Sequence, residues 1–211
     1  MLPGEFMPPL RRAATVVVAV VTLHACNSNR GPTAPTPSSA VVRGTALDFQ
    51  TQTPISGAIV RVSTDPFAGG AETVTDSNGR YTLPQPPHTG MFYYFAINNS
   101  PAGRGYPAGA NYRGDLLIDG GTCVSRYGVV IDARTLRPIA GASLGSSPVG
   151  WSATTSGDGW YRIDGGCPSS GTIGFNTTFL TASHPSHISQ QQVLGRGIQG
   201  VQRLDFLLEP R

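Results

Sequence analysis

Thr53-Pro-Ile-Ser-Gly-Ala-Ile-Val-Arg-Val62 and Arg137-Pro-Ile-Ala-Gly-Ala-Ser-Leu144 are two versions of one phrase, set 84 positions apart. Working outward, Val42-Arg-Gly-Thr-Ala-Leu-Asp48 stands before the first and Tyr127-Gly-Val-Val-Ile-Asp132 before the second, and Gly44 matches Gly128 at the same shift. Downstream, Asp76-Ser-Asn-Gly-Arg-Tyr81 matches Ser156-Gly-Asp-Gly-Trp-Tyr161 at a shift of 80, so four residues are lost between the blocks, as suits a loop. An internal repeat of this length means one architecture built twice.

Each copy reads as short strands separated by turn signals. In the first, 41–49 alternates, 50–54 is a turn, 58–62 alternates, and 116–118 is a last short strand. Asn78-Gly79 is a strong hairpin signal because both residues tolerate positive φ. Residues 91–97 are apolar on both parities, which predicts a strand that is covered on both faces or forms a contact patch. In the second copy Gly157-Asp-Gly159 is the turn, 173–181 the long strand, and 201–208 a closing segment with Val201, Leu204, Phe206 and Leu208 as its apolar set. No stretch beyond the N-terminal leader keeps a helical period over eleven residues. The expected fold is all-β, two tandem β-sandwiches.

Both copies resemble the carboxypeptidase regulatory-like domain, a transthyretin-like (prealbumin-like) β-sandwich also similar to the B-type repeats of surface adhesins. The resemblance rests on the phrases quoted above and on Leu204-Asp-Phe-Leu-Leu-Glu-Pro210, and it covers 41–211. It implies regulatory-like sandwiches at 40–120 and 121–211. It does not bring a peptidase with it, because the chain holds no zinc-peptidase motif.

The N-terminus reads as an address. Arg11 and Arg12 precede an apolar run from Ala13 to Leu23, too short to span a bilayer. The run ends in Leu23-His24-Ala25-Cys26, which resembles the bacterial lipobox. Residues 1–25 are then a lipoprotein signal peptide and Cys26 the lipidated first residue. Residues 26–39, rich in Pro, Ser and Thr, form a solvated tether. The diacylglycerol at Cys26 supplies two chains, enough for stable anchoring. The expected location is the extracytoplasmic face of a bacterial cell membrane or outer membrane, facing the periplasm or exterior.

Composition narrows the function classes. Among 211 residues there are 27 Gly and 18 Pro, and charged residues make up only 13%. All 15 positive side chains are Arg. A coiled coil or long bundle is excluded, and a charge-driven disordered chain is disfavoured by 39% hydrophobic content. No basic run tracks a phosphate backbone, so nucleic acid is not an expected partner.

Three cysteines remain. With Cys26 assigned to lipid, Cys123 and Cys167 form an even pair in an exported chain, which favours a disulfide over metal ligation or a redox site. His184 and His187, in His-Pro-Ser-His, are the only close His pair; their spacing fits neither a strand nor a helix metal site, so they read as loop. No nucleophile–base arrangement is visible, so no catalytic residue, metal site or cofactor is assigned.

The second hairpin carries the one suggestive surface. Pairing Thr155 with Trp160 buries Tyr161 and Ile163 and puts Trp160, Arg162 and Asp164 on the opposite face, joined across the turn by Trp151. Such a face suits sugar stacking, packing against the other repeat, or plain exposure. The expected function is a non-catalytic, lipid-anchored scaffold or adhesion-type module meeting a cell-surface protein or polysaccharide. The alternative is a carbohydrate-binding lipoprotein using Trp151, Trp160, Arg162 and Asp164.

Overall fold

The computed structural model describes residues 41–65, 69–84, 93–106, 113–119, 123–147, 150–166, 178–194 and 200–211. Cys26, Cys167, the leader and the tether lie outside them, as do Met91 and Phe92 and the first part of 173–181. Every regular element described is a strand. The first repeat holds β1 (Val41–Asp48), β2 (Ile59–Ser63), β3 (Ala71–Val74), β4 (Arg80–Pro84), β5 (Tyr93–Ile97), β6 (Ser100–Gly105) and β7 (Leu116–Ile118). The second holds β8 (Val124–Asp132), β9 (Ser143–Ser147), β10 (Ser152–Thr154), β11 (Trp160–Gly166), β12 (Thr178–Ser183), β13 (Gln190–Leu194), β14 (Val201–Leu204) and β15 (Phe206–Leu208).

The two repeats have one connectivity. In the first, β4-β1-β7 forms one sheet and β3-β2-β5-β6 the other. In the second, β11-β8 with β14 and β15 corresponds to the former, and β10-β9-β12-β13 to the latter. Each pair of sheets closes over its own core. Val42, Val60, Tyr81, Phe95 and Leu116 lie in the first, and Val130, Leu144, Tyr161, Leu180 and Phe206 in the second.

The repeated phrase is a set of side chains that satisfy backbone at each sandwich corner. The Thr75 hydroxyl donates to Ile55 O (2.7 Å) and accepts from Ala58 N (2.9 Å). Thr155 does the same with Ile139 O (2.7 Å) and Ala142 N (2.8 Å). Both threonines are buried, so those amides and carbonyls have no water to turn to. Asp48 Oδ1 accepts from Gln50 N, Thr51 N and Thr51 Oγ1, and Asp132 Oδ1 from Arg134 N, Thr135 N and Thr135 Oγ1. The Thr51 amide, first among these contacts, holds the Asp48 carboxyl below its ordinary range. Gly57 and Gly141, at φ 75° and 72°, occupy the left-handed region that the phrase requires at this turn.

Gly44 and Gly128 have a different reason. They face Tyr81 and Tyr161 across the β1–β4 and β8–β11 ladders. A Cβ on Gly44 would lie 2.3 Å from Gly114 O, and one on Gly128 2.4 Å from Leu204 O. Those same two carbonyls accept the hydroxyls of Tyr81 and Tyr161. The glycine lets the carbonyl approach and the tyrosine caps it. Burial pushes both phenols well above their ordinary pKa, so they stay protonated donors.

The expected hairpin pairing is corrected. Asn78-Gly79 and Asp158-Gly159 are tight turns, closed by Asp76 N to Arg80 O (3.0 Å) and Ser156 N to Trp160 O (2.9 Å). Their flanking strands then part into opposite sheets. Thr155 exchanges hydrogen bonds with the segment before β9, through Ala142 O and Gly141 N, rather than facing Trp160. Trp160 pairs with Val129 of β8. The buried threonine decides this, because its hydroxyl draws the strand end toward Ile139 and Ala142.

Thr155→Val is therefore expected to cost about 1–3 kcal/mol by leaving Ile139 O and Ala142 N without their partner. Thr155→Ser should retain most of the stability. Urea denaturation of the two variants checks this.

Candidate functional site

The two repeats meet along a shared sheet. β6 of the first pairs in parallel with β14 of the second, Arg203 opposite Gly103 and Leu204 opposite Arg104. This joins both halves into one sheet ordered β11-β8-β14-β6-β5-β2-β3. β8 is consequently covered on both faces, and Val124 to Ile131 are all buried. Val130 faces the second core, while Tyr127, Val129 and Ile131 face Phe49, Leu117 and Tyr106 of the first repeat.

At this seam sits a buried ion pair. The side chains of Arg203 and Asp205 are both 0% exposed, with Arg203 Nε 3.1 Å from Asp205 Oδ1. Arg203 Nη1 donates to Asp115 O and Nη2 to Arg113 O, each at 2.6 Å, both in the first repeat. Asp205 Oδ1 also accepts Val129 N at 3.0 Å. The neighbouring parallel pairing leaves no room for a side chain: a Cβ on Gly103 would lie 2.1 Å from Arg203 O, at a φ of +131°. Asp115 plays the matching part in the first repeat, accepting Thr45 N at 2.9 Å.

The residues singled out on the second hairpin fall on this seam in part. Trp160 is half-buried, its ring 5.5 Å from that of Tyr127 and covered by the Arg113 guanidinium at 4.2 Å. Arg113 also reaches Asp158 (3.2 Å) and Asp115 (2.7 Å). Arg162 lies over the Phe49 ring at 4.0 Å and pairs with the exposed Asp164 at 2.7 Å. Trp151 is elsewhere. It packs against the core of the second sandwich, its ring so close to Gly165 that a Cβ there would lie 2.5 Å from Cη2. The expected common face of Trp151 and Trp160 does not form, because β10 and β11 belong to different sheets. Cys123 is buried in the same seam cluster, its sulfur accepting Gln50 Nε2 at 3.4 Å.

Beside the seam an open cavity of about 390 Å³ is lined by Arg61, Tyr94, Asn99, Arg104, Arg126 and Val193, among others. Tyr94 and Ala96 present the outer parity of β5 to it, while Tyr93, Phe95 and Ile97 fill the first core. Arg126 is buried and donates to Ser125 O and Gly200 O. Burial brings its pKa down to about 10, so it is still a cation at neutral pH.

A third cluster was illegible in sequence. His187 Nε2 lies 2.9 Å from Asp132 Oδ2, fifty-five positions earlier. His184 Nδ1 is 3.2 Å from His187 Nδ1, and Ser186 Oγ lies 2.9 and 3.0 Å from the two nitrogens. The His pair lies on a loop as its spacing suggests, but His187 is buried there and has a carboxylate partner from the other end of the repeat. The His187 hydrogen bond, ahead of the Thr135 amide, brings the Asp132 carboxyl down to about 2. Ser186, His187 and Asp132 form a relay in outline, yet the hydroxyl is shared between two imidazoles and stands exposed on a turn. No catalytic role is assigned to it.

No family model matches the chain, and no curated protein matches it. Similar solved structures include shaft pilin SpaA from Lactobacillus rhamnosus GG, at 13% identity and a TM-score of 0.32 over 81% of this chain and 97% of that one. The Bacillus anthracis TIE protein is 11% identical, with a TM-score of 0.32 over 81% of this chain and 34% of that one. The group B streptococcus pilus 2b backbone protein is 11% identical, with a TM-score of 0.29 over 81% and 91%. Likenesses at this level assign neither a family nor an activity.

Arg203→Met should cost about 3–5 kcal/mol, because Asp205 is left as an uncompensated buried charge. Arg203→Met with Asp205→Asn should recover more than half of the loss. By calorimetry the parent is expected to melt in one transition and Arg203→Met in two, the repeats having lost their common seam.

Proposed function

We propose that this chain is a non-catalytic, exported surface protein, anchored through a lipidated Cys26, in which two regulatory-like sandwiches act as a structural or adhesion-type module. One observation carries the reading: the sandwiches share a continuous sheet, and the buried Arg203, paired with Asp205 in the second, donates across the junction to the Arg113 and Asp115 carbonyls of the first. A module that displays or spaces something from a surface needs a joint that does not bend, and a shared sheet supplies one.

The regulatory-like assignment is supported by the repeat phrase and by the corner chemistry at Thr75 and Thr155. A Cys123–Cys167 bridge belongs to the proposal, supported by the burial of Cys123 at the seam and by the oxidising compartment that export implies. The indoles of Trp151 and Trp160 are engaged in internal packing, so no carbohydrate site is included.

Metabolic labelling of the full chain in a bacterial host, with radiolabelled palmitate, tests the anchor. The parent should carry label and fractionate with membrane, and Cys26→Ala should be unlabelled. An unlabelled parent in the cytosol would sink the proposal. Separately, non-reducing peptide mapping should recover Cys123 linked to Cys167. Two alkylatable thiols would remove the bridge from it.

A further inference from the structure

We infer that His184, Ser186 and His187 form one face of a binding site for a first-row divalent transition ion of the zinc or copper kind, with Asp132 orienting His187. The geometry of the three donor atoms carries this. Nδ1 of His184, Nδ1 of His187 and Oγ of Ser186 make a triangle with edges of 2.9, 3.0 and 3.2 Å. Donors at about 2.1 Å from one ion are about 3.0 Å apart at octahedral angles and about 3.4 Å at tetrahedral ones. The triangle is therefore the size that one ion would span.

The protonation pattern points the same way. The Asp132 carboxylate sits 2.9 Å from His187 Nε2, so Nε2–H donates to it, and in the neutral imidazole Nδ1 then carries the lone pair. The backbone N–H of Ser186 points at His184 Nδ1 at 3.4 Å, which assigns a lone pair to that nitrogen too. With both rings neutral in these tautomers, two lone pairs lie 3.2 Å apart, an opposition that a cation against both relieves. A carboxylate on the far nitrogen of an imidazole is also the arrangement that orients metal-ligating histidines and raises their basicity.

The site is held before any ion arrives. His187 N donates to His184 O at 3.0 Å, and His187 O accepts Arg211 Nε at 3.0 Å. His187 pairs with Pro210, and Ile188 N donates to Glu209 O. Asp132 is fixed from behind by the Arg134 and Thr135 amides. His187 is buried while Ser186 is exposed, so solvent reaches the hydroxyl corner of the triangle and water can add to the coordination there. Among the described residues no three His, Cys, Asp or Glu converge as a metal group, and the third donor here is the hydroxyl.

The test is zinc titration of the full chain, purified without a polyhistidine tag and stripped with EDTA, followed by calorimetry and by copper EPR. One equivalent of Zn²⁺ is expected to bind. Asp132→Asn, which keeps the Oδ1 contacts of the turn, should weaken binding about 10–100-fold. His184→Ala should weaken it at least as much, and its copper spectrum should lose one of two imidazole nitrogen couplings. The melting temperature of each variant in EDTA reports whether it has folded. Binding unchanged in the folded His184→Ala and Asp132→Asn variants would overturn the inference. So would an absence of zinc binding by the parent, which would leave a shared proton as the cation between the two rings.

Discussion

The Arg203–Asp205 pair is the constraint around which the two repeats are arranged. A guanidinium without water must place its donors on protein atoms, and Arg203 places two of them on carbonyls of the first repeat. Its carboxylate partner meanwhile takes an amide from β8. The pair thus ties the closing strand of the second sandwich, the last segment of the first, and the central strand between them. Burial of an ion pair is weak evidence of net stability. Its effect here is specificity: only one register of β14 on β6 gives Arg203 these carbonyls, and only glycine at position 103 admits that register.

The repeats themselves are built on a different economy. Sandwich corners leave backbone amides and carbonyls without ladder partners, and each copy meets this with short side chains at fixed offsets. Thr75 and Thr155, Asp48 and Asp132, and Tyr81 and Tyr161 serve the same backbone atoms in both. Asp115 and Asp205 extend the series into the closing strands, where each accepts an amide of the partner strand. This last pair corresponds to Asp-Leu-Leu-Ile118 against Asp-Phe-Leu-Leu208 in the sequence, a parallel obscured because the loop before each differs in length.

The candidate sites show where one-dimensional reading stops. Period-two alternation correctly put Tyr161 and Ile163 inside and Trp160 and Arg162 on the other face. What covers that face came from the first repeat, in Phe49 and Arg113, at sequence distances no local pattern spans. A tight turn ordinarily joins paired strands, which would put Trp151 on the same face. Here the turn joins two sheets, and a buried threonine hydroxyl outweighs the hairpin signal. His187 and Asp132 are a plainer case. One lies in a loop and the other ends a strand of the repeat phrase, and only the closing of β15 against β8 puts their elements side by side.

The sequence by itself determined the all-β class, the duplication, the positions of the turns and the inward parity of the strands. Those follow from local chemistry: side-chain period, residues that accept positive φ, and side chains that satisfy backbone a few positions away. The tertiary structure decided which sheet each strand joins, how the repeats share one sheet, and what meets Trp160, Arg203 and His187. Those depend on burial of charge and on contacts between distant segments, where the stabilising partner lies dozens of residues away and leaves no periodic trace.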